Sequence, residues 1–232
     1  MAKDLRYFLA RVQDQLPGGI KSVNTVMDHR FEISAVIEKL EQDNQWPLVI
    51  FNRVLNQKGG LCQFKVAANI FATRQKCAIA LELPPDHWRM EPSLKFAKLS
   101  KNRIKPEVID SRDAPVKEVV KTGDAVDLYE LPVLTHHEMD GFPYLVDAVI
   151  AADPETGCYN SSHHRQMVRH KDELGIWMSP RHLRNYWTRA AKKGEPLPVA
   201  HVVGHHPGFY LGTEALVDID DDEYEVIGAV LD

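Results

Sequence analysis

The stretch YLVDAVIAADPETGCYNSSHHRQMV, residues 144–168, contains two β-prone runs on either side of a turn signal. The turn DPETG, residues 153–157, puts Asp-Pro before a glycine, which is typical of a tight connection between antiparallel strands. Side chains alternate between the two faces of a strand. The even-numbered polar residues from 160 to 166 should therefore face one way, and His163 and Arg165 the other. The stretch predicts a β-hairpin that is polar on both faces of its second strand.

Upstream of the hairpin, apolar residues recur every three to four positions in two segments. This spacing predicts helices over residues 4–16 and around residues 33–40, and Pro-Gly-Gly at 17–19 should end the first helix. Three short apolar runs follow, PLVIF (47–51), FKVAANIFA (64–72) and CAIALEL (77–83), and each is typical of a buried strand. Two helices followed by several strands predict an α+β domain over residues 1–115.

Downstream of the hairpin, the segment SPRHLRNYWTRAAKKG, residues 179–194, has the signals of a complete helix. Ser179 should cap its start, Pro180 suits the first helical position, and two lysines before Gly194 suit its end. His182 then falls in the first turn, where free N–H groups favour anions such as phosphate. The remaining apolar segments predict a strand at VKEVV (116–120), a strand at PVAHVVG (198–204), a short helix or loop at HHPGFYLGTEA (205–215) and a last strand at EYEVIGAVLD (223–232).

The stretch from Lys95 to Arg112 is rich in lysine and arginine and has little periodicity. A solvated linker or a surface helix is the favoured interpretation, and a basic binding patch is the alternative. We place a domain boundary near Pro115, which divides the chain into domains 1–115 and 116–232.

Composition excludes several classes of protein. The 232 residues are 44% hydrophobic and 26% charged, which is ordinary for a soluble globular chain. A formal net charge of −5 gives no electrostatic reason to expect nucleic acid as a partner. No apolar stretch approaches the ~20 residues that a membrane span needs, and the N-terminus lacks the apolar core of a signal peptide. Three cysteines without C-x-x-C spacing suggest reduced thiols, so the expected compartment is the cytoplasm.

Common catalytic motifs do not occur: the chain has no H-E-x-x-H, P-loop, G-x-G-x-x-G or G-x-S-x-G sequence. It contains three adjacent histidine pairs, at 136–137, 163–164 and 205–206. Neighbours on a strand point to opposite faces, so each pair is a poor metal chelate, and a structural or exposed role is favoured for each histidine. The acidic run DIDDDEYE, residues 218–225, is interpreted as a solvated turn, with a cation-binding loop as the alternative.

One series of motifs is more specific because its members occur in order. They are LPVLTHHEMDGFPYL (131–145), the DPETG turn followed by Asn160 and Arg165, and PVAHVVGHHP (198–207). With these motifs the chain resembles the UbiD-like decarboxylases, which use a prenylated FMN. The resemblance implies an α+β fold, with an N-terminal α/β-type domain followed by a flavin-binding, split β-barrel-like domain.

The resemblance also implies a cofactor site. Asn160, His182 and Glu223 fall where the family places the ligands of a divalent ion, Mn²⁺ or Mg²⁺, that grips the cofactor phosphate. An amide oxygen, an imidazole nitrogen and a carboxylate suit an octahedral site completed by phosphate or water. Thr213 matches a loop beside the phosphate and a potassium ion.

The flavin and the substrate have implied contacts of their own. Ser162, His163 and Arg181 match positions that line the isoalloxazine or its ribityl tail, and Arg165 is also expected among the cofactor-binding residues. Arg165 matches the arginine that holds the substrate carboxylate, for which a planar guanidinium can donate two parallel hydrogen bonds. The imidazoles before Arg165 favour an aromatic acid as substrate.

The activity implied is the reversible, non-oxidative decarboxylation of an aromatic or α,β-unsaturated acid. A flavin prenyltransferase would supply the cofactor. The family's proton-donating glutamate and its C-terminal domain follow the last segment seen here, so we expect a fragment or a chain that is completed by a second subunit. A non-catalytic flavin- or metal-binding subunit and a flavin reductase are the alternatives.

Overall fold

The computed structural model describes residues 3–232. The first half of the chain contains α1 (Leu5–Gln15), β1 (Ile20–Val23), α2 (Glu32–Gln42), β2 (Leu48–Phe51), β3 (Val66–Ala68), α3 (Arg74–Ala80) and α4 (Glu91–Leu99). Short 3₁₀ turns then lead into the second half. It contains β4 (Tyr144–Ala152), β5 (Tyr159–His170), β6 (Glu173–Ile176), α5 (His182–Lys192), β7 (Val199–Val202), α6 (Pro207–Gly212) and α7 (Glu223–Leu231).

The first sheet has the order β1-β2-β3, with β1 parallel and β3 antiparallel to the central strand β2. Successive residues of β2 face opposite sides, so this short apolar strand serves two clusters. Leu48 packs with Phe8 and Val12 of α1 and with Ile79 of α3. On the other side of the strand, the buried cluster is made of Met27, Ile33, Val49, Phe51 and Val54.

The second sheet is antiparallel, in the order β6-β5-β4-β7, and the predicted hairpin forms its centre. Along β4, Ala148 and Ile150 pack against Phe209 of α6 and Ile227 of α7. The alternate residues of β4 contact the opposite helix, in the cluster Val149, Ala151, Leu183 and Tyr186. The sheet is therefore covered by α5 on one face and by α6 and α7 on the other, and the predicted α+β class is confirmed.

Two of the predicted strands are helices. CAIALEL lies largely in α3, which Thr73 caps by accepting from the N–H of Lys76, and Lys76, Ala78, Ile79 and Ala80 are all buried. EYEVIGAVLD forms α7, which Asp222 caps by accepting from the N–H of Tyr224. A helix that is buried around most of its circumference shows no polar stripe, so its apolar run imitates a strand.

Smaller differences concern the ends of elements. VKEVV forms no strand, because its start lies in the 3₁₀ turn Pro115–Lys117. Only Val66–Ala68 of the run 64–72 is strand, and the basic stretch begins in α4 and becomes irregular beyond Leu99. Helix α5 begins at His182 with Arg181 as its N-cap, so the predicted cap at Ser179 is wrong. The strands β1 and β6 are missing from the sequence prediction.

Among the described residues, no helix combines the length and apolar character needed to cross a membrane.

Two glycines allow close backbone packing around α7. A Cβ built on Gly228 would lie 2.2 Å from the carbonyl oxygen of Ile104, and one on Gly212 would lie 2.9 Å from the Cα of Ile227. The N–H of Ile104 also donates to the carbonyl of Glu225 at 3.0 Å. The irregular segment around Ile104 and the end of α6 therefore both lie directly against α7.

His206 links the two halves of the chain. It is 1% exposed and packs against Tyr7 and Phe8 of α1, with ring centroids 6.1 and 5.8 Å apart. As the N-cap of α6, its Nδ1 accepts from the N–H of Gly208 at 2.9 Å, so the neutral ring carries its proton on Nε2. Burial lowers the pKa of His206 from 6.5 to about 4.

This burial makes the stability of the fold depend on pH. In the unfolded chain His206 is protonated below its ordinary pKa of 6.5, whereas in the folded chain it is protonated only below its lowered pKa of about 4. The free energy of unfolding should therefore fall by about 2 kcal/mol, because of His206, when the pH is lowered from about 7.5 to about 5. His206→Asn keeps an acceptor for the helix cap but cannot titrate. Urea unfolding of both proteins at the two pH values should show a smaller pH effect in the variant, and equal effects would contradict the prediction.

Candidate functional site

A cavity of about 670 Å³ lies beside the first half of β5. Its walls come from β5, the start of α5, the loop after α6 and the first residue of α7. Strand β6 pairs with β5 only from Gln166 to His170, and just beyond it the N–H of Trp177 donates to the carbonyl of Arg165. Among residues 3–232, no strand lies beside this edge of β5 before Arg165. The cavity occupies the place of the missing strand, and backbone groups on that edge are available to other partners.

Asn160, His182 and Glu223 converge at this cavity, although they come from β5, α5 and α7. The Asn160 amide donates to Glu223 Oε2 at 2.8 Å, and His182 Nδ1 lies 3.3 Å from Glu223 Oε1. The backbone N–H of Ser161 also donates to the Glu223 carboxylate. Glu223 is 5% exposed and Asn160 is 3% exposed, whereas the His182 side chain is partly exposed, so the carboxylate and the amide are buried and the imidazole is at the solvent side.

The Glu223 carboxylate is costly to keep charged in the described structure. Burial raises the pKa of Glu223, and the hydrogen bonds from Ser161 and Asn160 oppose this rise. A buried carboxylate next to an amide and an imidazole is a donor set that suits a hard divalent cation. Within residues 3–232, no group of three or more His, Cys, Asp or Glu side chains is placed to hold a metal. The three residues therefore fit a cation only if further oxygens, such as those of a phosphate, complete its coordination.

His163 forms the opposite wall with the loop after α6. Its Nδ1 lies 2.5 Å from Glu214 Oε1 and 3.1 Å from Thr213 Oγ1. The Thr213 hydroxyl donates to the carbonyl of Tyr210 at 2.8 Å, so both contacts of Nδ1 are to acceptors. Nδ1 of His163 therefore carries a proton, and the imidazole ties β5 to the loop that carries Thr213.

Ser162 lies between Asn160 and His164 on the other face of β5. Its hydroxyl is 3.1 Å from Asn160 Oδ1 and 2.9 Å from His164 Nε2. His164 Nδ1 is 3.1 Å from the carbonyl of Trp177, which can only accept, so in neutral His164 the proton is on Nδ1. Burial lowers the pKa of His164, which favours that neutral form. The single Ser162 proton can thus be given either to the Asn160 amide oxygen or to His164.

A second cavity of about 620 Å³ adjoins the first and shares His163, His164 and Ser179 with it. Arg165 lies in its wall and is exposed. No hydrogen bond or ion pair joins its guanidinium to another of residues 3–232. The register shift of β5 lies between Val168 and His170, so strict alternation holds through Arg165. His164 and Arg165 nevertheless line the same cavity, which must reach around the edge of the strand.

The sequence-predicted site residues are therefore divided between two neighbouring cavities. The first is lined by Asn160, Ser162, His163, Arg181, His182, Thr213 and Glu223, and the second by His163 and Arg165. The sequence prediction did not include Glu214, the backbone of Ser161, Trp177 or Arg169. Glu214 directly follows Thr213 and could have been found by that adjacency, whereas the other three depend on sheet pairing.

Comparisons with known proteins agree with this architecture. Residues 107–232 match the UbiD family, described as the 3-octaprenyl-4-hydroxybenzoate carboxy-lyase Rift-related domain. Residues 15–89 match the N-terminal domain of the same carboxy-lyase. The first match alone covers more than half of the chain. The chain therefore belongs to the UbiD family.

Individual relatives extend over nearly the whole chain. The anhydromevalonate phosphate decarboxylase of Methanosarcina mazei is 32% identical over 213 residues, which are 91% of this chain and 45% of the relative. The UbiD-class enzyme HmfF from Pelotomaculum thermopropionicum, solved with FMN, superimposes with a TM-score of 0.86 at 31% identity, over 98% of this chain and 48% of the other. The closed form of the vanillic acid decarboxylase ShVdcCD of Sedimentibacter hydroxybenzoicus gives a TM-score of 0.86 at 26% identity. The match covers 100% of this chain and 49% of the vanillic acid decarboxylase chain. The chain thus spans about half the length of these relatives.

Proposed function

We propose that this chain forms the flavin-binding and substrate-binding part of a decarboxylase that uses prenylated FMN. The reaction is the reversible, non-oxidative release of CO₂ from an aromatic or α,β-unsaturated carboxylic acid. The observation that carries the proposal is the convergence of Asn160, His182 and Glu223 on one cavity, beside a second cavity that contains Arg165. The decarboxylase names of the relatives, and the FMN in the HmfF structure, support it.

In this proposal the first cavity holds the cofactor. Asn160, His182 and Glu223 would hold Mn²⁺ or Mg²⁺ together with the flavin phosphate, and the cation would neutralise a phosphate whose burial is otherwise costly. Thr213 would lie beside the phosphate and a potassium ion. Ser162, His163 and Arg181 line the flavin or its ribityl tail.

Arg165 holds the substrate carboxylate in the second cavity. Its guanidinium has no competing partner in the described structure, so two parallel hydrogen bonds to a carboxylate cost no existing ion pair. Loss of CO₂ from an sp² carbon leaves an electron pair outside the π system, and a bound prenylated flavin supplies the electron sink for that pair. Arg165 contributes orientation, because it fixes the carboxylate relative to the wall formed by His163 and His164.

We further propose that more protein completes the site, either as a C-terminal domain of the same polypeptide or as a second subunit. The support is that the matched relatives are about twice as long as this chain. A flavin prenyltransferase supplies the cofactor. The relatives' names point to two kinds of substrate, a phenolic acid and a phosphorylated acid, so the names alone do not choose between them.

The proposed function is tested by co-expressing the protein with a flavin prenyltransferase and identifying the bound flavin by visible spectrum and mass spectrometry. We expect prenylated FMN in the wild type and less of it in Arg181→Gln. Arg184→Gln is the matched control, because Arg184 lies on the same helix over the ring of Trp187 and outside the cavity. A folded protein without any prenylated FMN would refute the proposal. Bound prenylated FMN without CO₂ release would instead favour a non-catalytic subunit, and unmodified FMN with reductase activity a flavin reductase.

A further inference from the structure

The second cavity is positively charged although the chain has a net charge of −5, because two arginines line it. Arg165, Arg169, His163 and His164 line it, and no aspartate or glutamate does. The rest of its wall includes the aromatic rings of Tyr144 and Trp177. A monocarboxylate would occupy one guanidinium and leave the other without a function in the cavity.

The position of the Arg169 side chain explains how it reaches the same cavity as Arg165. Four residues along a strand separate Cα atoms by about 13 Å, so the two guanidinium groups would ordinarily lie far apart. Gly175 of β6 pairs with Met167, two residues closer to Arg165 than Arg169 is. A Cβ built on Gly175 would lie 3.1 Å from Arg169 Cδ and 3.8 Å from Met167 Cβ. Arg169 lies in the register shift between Val168 and His170, and its stem lies over Gly175, the residue that pairs with Met167.

The alternative role for Arg169 is a surface ion pair with Glu173. The two groups are 3.9 Å apart, beyond hydrogen-bonding distance, and both side chains are more than half exposed. Exposed pairs of this kind contribute little to stability. The hydrogen-bond donors of Arg169 are therefore available to a ligand in the cavity.

We infer that the substrate carries a second anionic group besides its reacting carboxylate, and that Arg169, positioned by Gly175, binds this group. The inference rests on the proposed function, because it takes Arg165 to hold the reacting carboxylate. A phosphate ester and a second carboxylate share the required chemistry, since both present oxygens to a guanidinium. Arg169 is then a specificity residue that selects two-anion acids over simple unsaturated or aromatic monoacids.

The test measures binding separately from catalysis. The protein, with its completing domain or subunit, is loaded with unmodified FMN, and ligands are titrated by calorimetry. The three probes are 3-methylbut-2-enoate with one carboxylate, pent-2-enedioate with two, and 5-phosphooxypent-2-enoate with a phosphate. We expect at least one two-anion probe to bind about tenfold or more tightly than the monoacid. The tighter of the two identifies the second group as phosphate or carboxylate.

Three variants then assign the preference to Arg169. Arg169→Gln should remove it while leaving the affinity for the monoacid nearly unchanged. Gly175→Ala keeps the charge but pushes against the Arg169 stem, so it should weaken the preference. Glu173→Gln is the control, and it should leave the preference intact or increase it. Thermal unfolding of each variant checks that the fold is kept.

The inference is overturned if the wild type shows no preference, if no probe binds, or if Arg169→Gln retains the preference. Failure of the proposed function looks different. In that case the same protein loaded with prenylated FMN releases no CO₂, while the Arg169-dependent preference in the FMN-loaded protein persists.

Discussion

Arg165→Gln should reduce kcat/KM for decarboxylation by about a thousandfold or more and leave the bound flavin in place. The loss is large because the guanidinium is the group that would fix the carboxylate, and glutamine can neither carry its charge nor donate as a fork. The flavin should remain because Arg165 lines the second cavity and not the first. Steady-state CO₂ release and the visible spectrum of the purified variant measure the two effects.

Arg165→Lys separates charge from geometry in the same experiment. Lysine keeps the positive charge but offers a point charge in place of two parallel donors, so activity should return only in part. Loss of flavin in Arg165→Gln would show that this residue belongs to the cofactor site. Full activity in that variant would remove Arg165 from the proposed mechanism.

Glu223→Gln should weaken the binding of divalent metal and of flavin together. The proposed cation has one carboxylate among its three protein ligands, and replacing it by a neutral amide should weaken metal affinity by about a hundredfold or more. The phosphate then loses its counter-charge, so flavin retention falls as well. Metal analysis and the flavin-to-protein ratio after gel filtration give the result.

Glu225→Gln is the matched control for this substitution. It removes the same charge from the first turn of the same helix, but Glu225 does not line the cavity. The Glu223→Gln protein should remain folded, because burial already raises the pKa of Glu223 and a neutral side chain of the same shape avoids that cost. Unchanged metal and flavin contents in Glu223→Gln would show that the ligands are misplaced.

The sequence was sufficient wherever local chemistry and burial agree. The hairpin β4–β5 was predicted correctly because its turn residues and its strand residues both favour that structure. The prediction from sequence was wrong for α3 and α7, because these helices are buried on most sides and have the apolar runs typical of a strand. It also missed β1 and β6, which are only four residues long and gain their order from pairing with a neighbour.

The candidate site also contains residues that the sequence could identify and an arrangement that it could not. Asn160, His182 and Glu223 were singled out by resemblance, and the structure brings them together from three separate elements. No periodicity could show this, because the convergence depends on how α5 and α7 pack on the sheet. The place of Arg169 was equally hidden, since it depends on a glycine in a strand that the sequence did not reveal.

The contact at Gly228 matters for anyone who divides this chain. The boundary predicted near Pro115 suggests that residues 116–232 could be prepared alone. However, the carbonyl of Ile104 lies against α7 at Gly228, and its N–H is bonded to the same helix. A shortened protein that starts at residue 116 would lose both contacts of Ile104, and the helix that begins with Glu223 would be free to shift. An expression fragment of the second half should therefore start upstream of Ile104.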